Sequence, residues 1–160
     1  MICRRANKVA YSQNKAPNGE GMHWKAEYSV GIDEIDKQHR VLLDYFNLIE
    51  DAVAAGGTWS SLHFILIQLH EFARIHFSVE EALMHLFGYP EVTEHMGLHQ
   101  AFFIKLKELE QQSLKTDVTK GTVEFLHQWL VQHIMGADQG YARHIAGGAR
   151  VVLSKTSEPA

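Results

Sequence analysis

At 160 residues with 46% hydrophobic content, the chain suits one domain with a substantial core. A net charge of −4 and the lack of a long basic run argue against nucleic acid or an anionic membrane as partner. The single cysteine, Cys3, excludes an internal disulfide and a cysteine-built metal site.

The start, Met1-Ile2-Cys3-Arg4-Arg5-Ala6-Asn7, lacks the apolar stretch of a signal peptide. Apolar runs such as Phe64-Ile65-Leu66-Ile67 are too short to span a bilayer, so a soluble, cytoplasmic protein is expected. Residues 1–22 carry Pro17, Gly19 and Gly21 without periodicity and read as a disordered extension, with Met22 an alternative start. Residues 23–31 read as an irregular arm with Trp24 and Tyr28 available to pack.

The first predicted helix runs from about Asp33 to Ala55. Its stripe is Ile32, Ile35, Leu42, Phe46, Ile49 and Val53, with His39 filling the one gap and Gly56-Gly57 ending it. The second spans about Trp59–Phe87, with Leu62, Ile65, Leu69, Phe72, His76, Glu80 and Leu83 inward, and stops at Gly88-Tyr89-Pro90. The third spans about Glu91–Lys115, with Val92, His95, His99, Phe102, Leu106 and Leu109 inward. The fourth begins near Thr119 or Thr122, with the seam Val123, Leu126, Leu130, His133, Ala137 and Tyr141. Gly147-Gly148 is expected to end the packed region before a mobile tail over 147–160. Four long helices with short turns predict an all-α, antiparallel up-down-up-down four-helix bundle over 23–146, preceded by the N-terminal arm.

His39, His76, Glu80, His95, His99, His133 and Asp138 therefore fall on or near inward seams. Buried imidazoles and carboxylates are costly without partners, and their convergence points to metal, most simply two ions. His76 with Glu80, and His95 with His99, are four apart and share a helix face. At about 100° per residue, His63, His70 and His85 lie well around the helix from His76, and His127 from His133, so all four are expected toward solvent. His23 lies in the arm, and His144 about three turns beyond His133. His133 and Asp138 are five apart, about 140° around an ideal helix, which calls for a carboxylate serving another part of a dinuclear centre or for a locally loosened helix. Gly136 and Gly140 flank that aspartate. Imidazole with carboxylate suits iron, manganese, zinc or copper, and seven ligands exceed a tetrahedral zinc site. A ferritin-like di-iron site needs two Glu-x-x-His motifs on helix seams; Glu124-x-x-His127 points off the seam and Glu20-x-x-His23 lies in the arm.

Four stretches carry a resemblance: Trp24-Lys25-Ala26-Glu27-Tyr28-Ser29-Val30-Gly31-Ile32-Asp33-Glu34-Ile35-Asp36-Lys37-Gln38-His39, His76-Phe77-Ser78-Val79-Glu80-Glu81, His95-Met96-Gly97-Leu98-His99, and Trp129-Leu130-Val131-Gln132-His133-Ile134-Met135-Gly136-Ala137-Asp138. Together they resemble the hemerythrin family in its single-domain bacterial form, over about residues 23–146. The resemblance implies two non-heme irons (Fe2+/Fe3+) with an oxo or hydroxo bridge. One iron would take His95, His99 and His133, the other His39 and His76, with Glu80 and Asp138 bridging. It implies an open position on the second iron for O2, or for NO or an anion such as azide, with Leu42, Phe77, Trp129, Leu130 and Ile134 around it and Trp24 covering the site. Reversible oxygen binding for storage, delivery or scavenging is the expectation, without enzymatic turnover, in concert with an acceptor protein the sequence does not identify. The rival readings are a sensing module for oxygen, NO or redox state, and a di-iron oxidase or peroxidase.

Overall fold

The computed structural model describes residues 21–56, 59–113 and 120–155. A 3-10 turn at Ala26–Tyr28 precedes α1 (Asp33–Ala54), α2 (Trp59–Leu86) and α3 (Val92–Ser113). The fourth rod is composite: α4 (Lys120–His133), a π-helical segment (Ile134–Asp138) and α5 (Gln139–Lys155). The four rods form the up-down-up-down bundle, with α2 packed between α1 and α3, and α4 against α1. Among the described residues there is no strand, and no helix is long and apolar enough to cross a membrane. Residues 1–20 of the extension read over 1–22, and 156–160 of the tail read over 147–160, lie outside the described residues.

The arm is tied down at three points. Asn47 clamps Met22 from both sides: its Oδ1 accepts the Met22 N–H at 2.6 Å and its Nδ2 donates to the Met22 carbonyl at 3.0 Å. Asp36 accepts the Val30 N–H at 2.8 Å and the Ser29 hydroxyl, which accounts for a buried carboxylate in the first turn of α1. Its negative charge also sits at the positive end of the helix dipole, with Asp33 and Glu34. Gln139 reaches across to donate to the Ser29 carbonyl at 2.8 Å, fastening the arm to the fourth rod.

The apolar residues divide into two clusters. The larger joins Leu42, Phe46 and Ile49 of α1 with Leu66, Leu69 and Phe77 of α2, Phe102, Leu106 and Leu109 of α3, and Leu126 and Leu130 of α4. The smaller, at the other end, joins Val30, Ile35, Met84, Tyr141 and Ala142. The buried face of α2 is wider than one stripe. Leu66, Ala73 and Met84 are buried, while Ile65, Phe72 and Leu83, expected inward, are half-buried on its flank. A helix gripped by neighbours on two sides buries more than a single 3.6-residue line.

α2 ends as its sequence implies. Gly88 adopts φ 62°, its N–H bonds to the His85 carbonyl at 3.3 Å, and the Tyr89 N–H bonds to the Met84 carbonyl at 2.9 Å, which is a Schellman turn. Gly147 and Gly148 do not end the last helix, which stays helical to Lys155. Neither takes the left-handed conformation that turns a chain out of a helix, so they weaken the helix without breaking it.

A Cβ at Gly88 would meet nothing within 4 Å, so its replacement is penalised by conformation alone. Gly88→Ala should lower stability in urea unfolding by about 1 kcal/mol. Gly97→Ala, also in open space but mid-helix in α3, should raise it by roughly 0.5–1 kcal/mol. Equal effects at both positions would overturn the assignment of the Gly88 turn.

Candidate metal centre

Between the two apolar clusters lies a polar layer to which every rod contributes. His39 comes from α1 one turn after Ile35; His76 and Glu80 come from α2; His95 and His99 from α3; His133 and Asp138 from the fourth rod. All seven are buried, and His39, Glu80 and Asp138 are 0% exposed. Their polar atoms face one another. His99 Nε2 lies 3.2 Å from a Glu80 oxygen and 3.2 Å from His133 Nε2. Asp138 lies 3.1 Å from His133, 3.3 Å from His95 and 3.3 Å from His39. Glu80 is 3.6 Å from His76 and 3.7 Å from His39.

The five-residue spacing of His133 and Asp138 is resolved by the π segment, whose wider turn bonds residue i to i+5. In an unbroken α-helix Ala137 would follow His133 on the seam. Here Ala137 is half-buried and Asp138 takes the buried position, against the expectation that put Ala137 inward. The glycines at 136 and 140 lie in and just after the segment, where weak helix propensity eases the departure from α geometry.

The electrostatics of the layer is that of carboxylates with no permanent cation. Among the described residues, the ion-pair partners of Glu80 and Asp138 are all histidines. Burial alone would push His39 down, but Asp138 and Glu80 outweigh it and raise the imidazole to about 9; the same contest raises His95 to about 9. For His76 burial wins over the attraction of Glu80, and the ring is pulled down to about 4. Burial works to raise Glu80, and burial with the Glu80 charge to raise Asp138, yet the surrounding imidazoles hold both carboxyls below their ordinary range.

Among the described residues, six buried polar atoms lack hydrogen-bond partners: both nitrogens of His39, His95 Nε2, Glu80 Oε2 and both Asp138 oxygens. Leaving such atoms unmatched costs about 1–3 kcal/mol each. Imidazole and carboxylate groups facing one another, whose only neutralising charge is exchangeable protons on the histidines, fit cations that can displace those protons. Two groups of donors can hold a metal ion: Glu80, His95, His99 and His133, and His39, His76 and Glu80. Their shared member is Glu80.

Residues outside the ligand set hold it in place. The Tyr141 hydroxyl donates to Glu80 Oε1 at 2.9 Å, and burial with the two carboxylates pushes its phenol far above the usual range. His76 Nδ1 meets Gln38 Oε1 at 2.9 Å, and His99 Nδ1 meets Glu81 Oε1 at 2.9 Å. These contacts turn the Nε2 atoms inward, since an oxygen acceptor fixes the proton on Nδ1. The sequence reading assigned no role to Gln38 or Glu81, although each neighbours a candidate ligand, His39 and Glu80. Tyr141 was read as a seam residue only; a buried tyrosine's need for a hydrogen-bond partner was the available signal.

Leu42, Phe77, Leu130 and Ile134 are buried in the larger apolar cluster, and Trp129 packs on it half-buried. Phe77 stacks on His99 with centroids 3.8 Å apart, and Trp129 on His133 at 4.6 Å. Trp24 is half-buried under the Arg40 guanidinium, 4.1 Å from the ring centroid. Of the four histidines expected toward solvent, His85 is exposed and His63 and His127 are half-buried. His70 departs further: it pairs with Glu110 at 2.8 Å and stacks on Phe103, because α3 covers that flank of α2. His144 lies off the centre, hydrogen-bonded to the Phe87 carbonyl at 3.0 Å.

Comparison with known proteins agrees with this architecture. Residues 30–145 match the family described as Hemerythrin HHE cation binding domain. The chain is 28% identical over 123 residues to a bacteriohemerythrin of Stenotrophomonas maltophilia, covering 76% of this chain and 80% of the relative. It is 32% identical over 119 residues to myohemerythrin-1 of Phascolopsis gouldii, covering 74% and 89%. A crystal structure of wild-type hemerythrin superposes with a TM-score of 0.71 at 28% identity, covering 76% of this chain and 95% of the other. From the family match, the bundle and the histidine–carboxylate layer at its core, the chain belongs to the hemerythrin family.

Proposed function

We propose that this protein binds molecular oxygen reversibly at a pair of non-heme irons, as a store, carrier or scavenger. His95, His99 and His133 would hold one iron, His39 and His76 the other, with Glu80 and Asp138 shared. The observation that carries this reading is the lopsided donor set. Two groups meet at Glu80, one with three imidazoles and one with two. A metal held by His39, His76 and Glu80 would thus have one imidazole fewer than its neighbour, in a core whose apolar residues Leu42, Phe77, Leu130 and Ile134 are no more than 2% exposed.

When bound, a ferrous pair supplies the two electrons by which oxygen is held reversibly. The protein's own part is to bind, orient and exclude. Tyr141 holds one Glu80 oxygen through its hydroxyl, which limits how that carboxylate can swing. Gln38 and Glu81 fix the tautomers of His76 and His99. The aliphatic and aromatic walls of Leu42, Phe77, Leu130 and Ile134 would keep water and its protons away from the open position. Trp129, half-buried and stacked on His133, would add to those walls. NO and small anions such as azide would compete for the same position.

Metal analysis should find two irons per chain, and the reduced protein should take up one oxygen per pair, visible in its optical spectrum, and release it under vacuum. Failure of the oxygenated spectrum to form, or to revert without added reductant, would overturn the carrier reading. Rapid oxygen consumption with a reductant would replace it with an oxidase.

Replacement by glutamine separates ligand from bystander histidines. His85→Gln and His127→Gln should leave iron content unchanged, whereas His76→Gln and His99→Gln should lower affinity at least tenfold. Comparable losses in both sets would contradict the ligand assignment.

Metal uptake should also depend on pH. In protein stripped by a chelator, His39 and His95 carry protons at neutral pH because their values lie near 9. Iron must displace those protons, so apparent affinity should rise between pH 7 and 9, by up to about tenfold per unit for each proton released. A pH indicator in weak buffer should register the release; a flat affinity over this range would contradict the protonated starting state.

A further inference from the structure

We infer that Gln38 and Glu81 are positioning residues that make the two halves of the centre electronically unequal. The inference rests on the di-iron reading above and goes beyond it in assigning a role outside the ligand set. His76, in the half with two imidazoles, sets its Nδ1 against the neutral amide oxygen of Gln38 at 2.9 Å. His99, in the half with three, sets its Nδ1 against the Glu81 carboxylate at the same distance. The geometry of the two contacts is alike, so charge is the difference between them.

A carboxylate acceptor draws the Nδ1 proton and leaves more electron density on Nε2 than an amide does. His99 is thereby the stronger donor, and it favours the more oxidised state of whatever metal it holds. His76, facing an amide, donates less and favours the more reduced state of the metal it would hold. The difference reinforces the unequal imidazole count. Glu81 is 27% exposed at its side chain, so its charge can be kept at modest desolvation cost while it touches a ligand that is 1% exposed. Gln38 is also half-buried, and it leaves that half of the layer without a further negative charge.

The test is a charge swap read as reduction potential in the iron-loaded full chain, because a merely structural contact would change iron content without ordering the potentials. Glu81→Gln should favour the reduced state about tenfold at a fixed applied potential, equivalent to roughly 59 mV for a one-electron step. Gln38→Glu should shift the balance by a similar factor toward the oxidised state. Iron release to a chelator should be faster in Glu81→Gln and slower in Gln38→Glu. If Glu81→Gln loads no iron, Gln38→Glu still decides the matter, since it adds an acceptor where the amide was. Potentials unchanged within a factor of two, or both variants shifting the same way, overturn the inference while leaving oxygen binding intact. If the native chain holds no iron pair or forms no oxygenated spectrum, the di-iron reading fails first and this inference with it.

Discussion

Two carboxylates, Glu80 and Asp138, stand at 0% exposure with no lysine or arginine among their ion-pair partners in the described residues. Removing two negative charges from water without fixed positive charge is among the most expensive things a core can do. Much of the local architecture follows from meeting that demand. Five imidazoles surround the pair, and an imidazole can accept a proton or donate to a metal. A layer neutralised in this exchangeable way admits cations that a lysine or arginine would exclude.

The demand also explains why the core is interrupted. An apolar cluster lies on each side of the polar layer and brings all four rods to a close approach at one level. The smaller cluster is capped by the arm, which Asp36 and Gln139 hold in place. The arm thus shields one end of the polar layer, though none of the seven residues of that layer comes from it.

Most of this was legible in the sequence because long helices with regular apolar spacing constrain their own phase. The starts at Asp33 and Trp59, the stop before Gly88 and the inward seam of α3 all follow from period and capping. What escaped has common physical origins. Leu43, Leu66 and Met84 are buried because a bundle helix touches two neighbours, and a single stripe describes only one. His70 was placed outward on helical phase, but phase does not say whether an adjacent helix covers that side. Gln38 and Glu81 meet histidines of other helices, His76 and His99, and cross-helix partners are a property of rod packing that one helix's pattern cannot contain. The odd spacing of His133 and Asp138 was visible as an anomaly, and its resolution required the backbone.

That backbone feature reaches past the ligands. The π segment inserts one residue's worth of rotation into the fourth rod, so everything beyond it, including Tyr141 under Glu80 and Gln139 against Ser29, is phased by that extra residue. Removing a single residue between His133 and Asp138 would let the backbone relax into an ordinary α-helix. It would also swing α5 by about 100°, turning the tyrosine away from the carboxylate and releasing the arm. The fourth rod is thus intolerant of a length change at a point where the local helix itself would welcome one. Its reading frame of faces, rather than its helicity, is what this stretch of chain has to preserve.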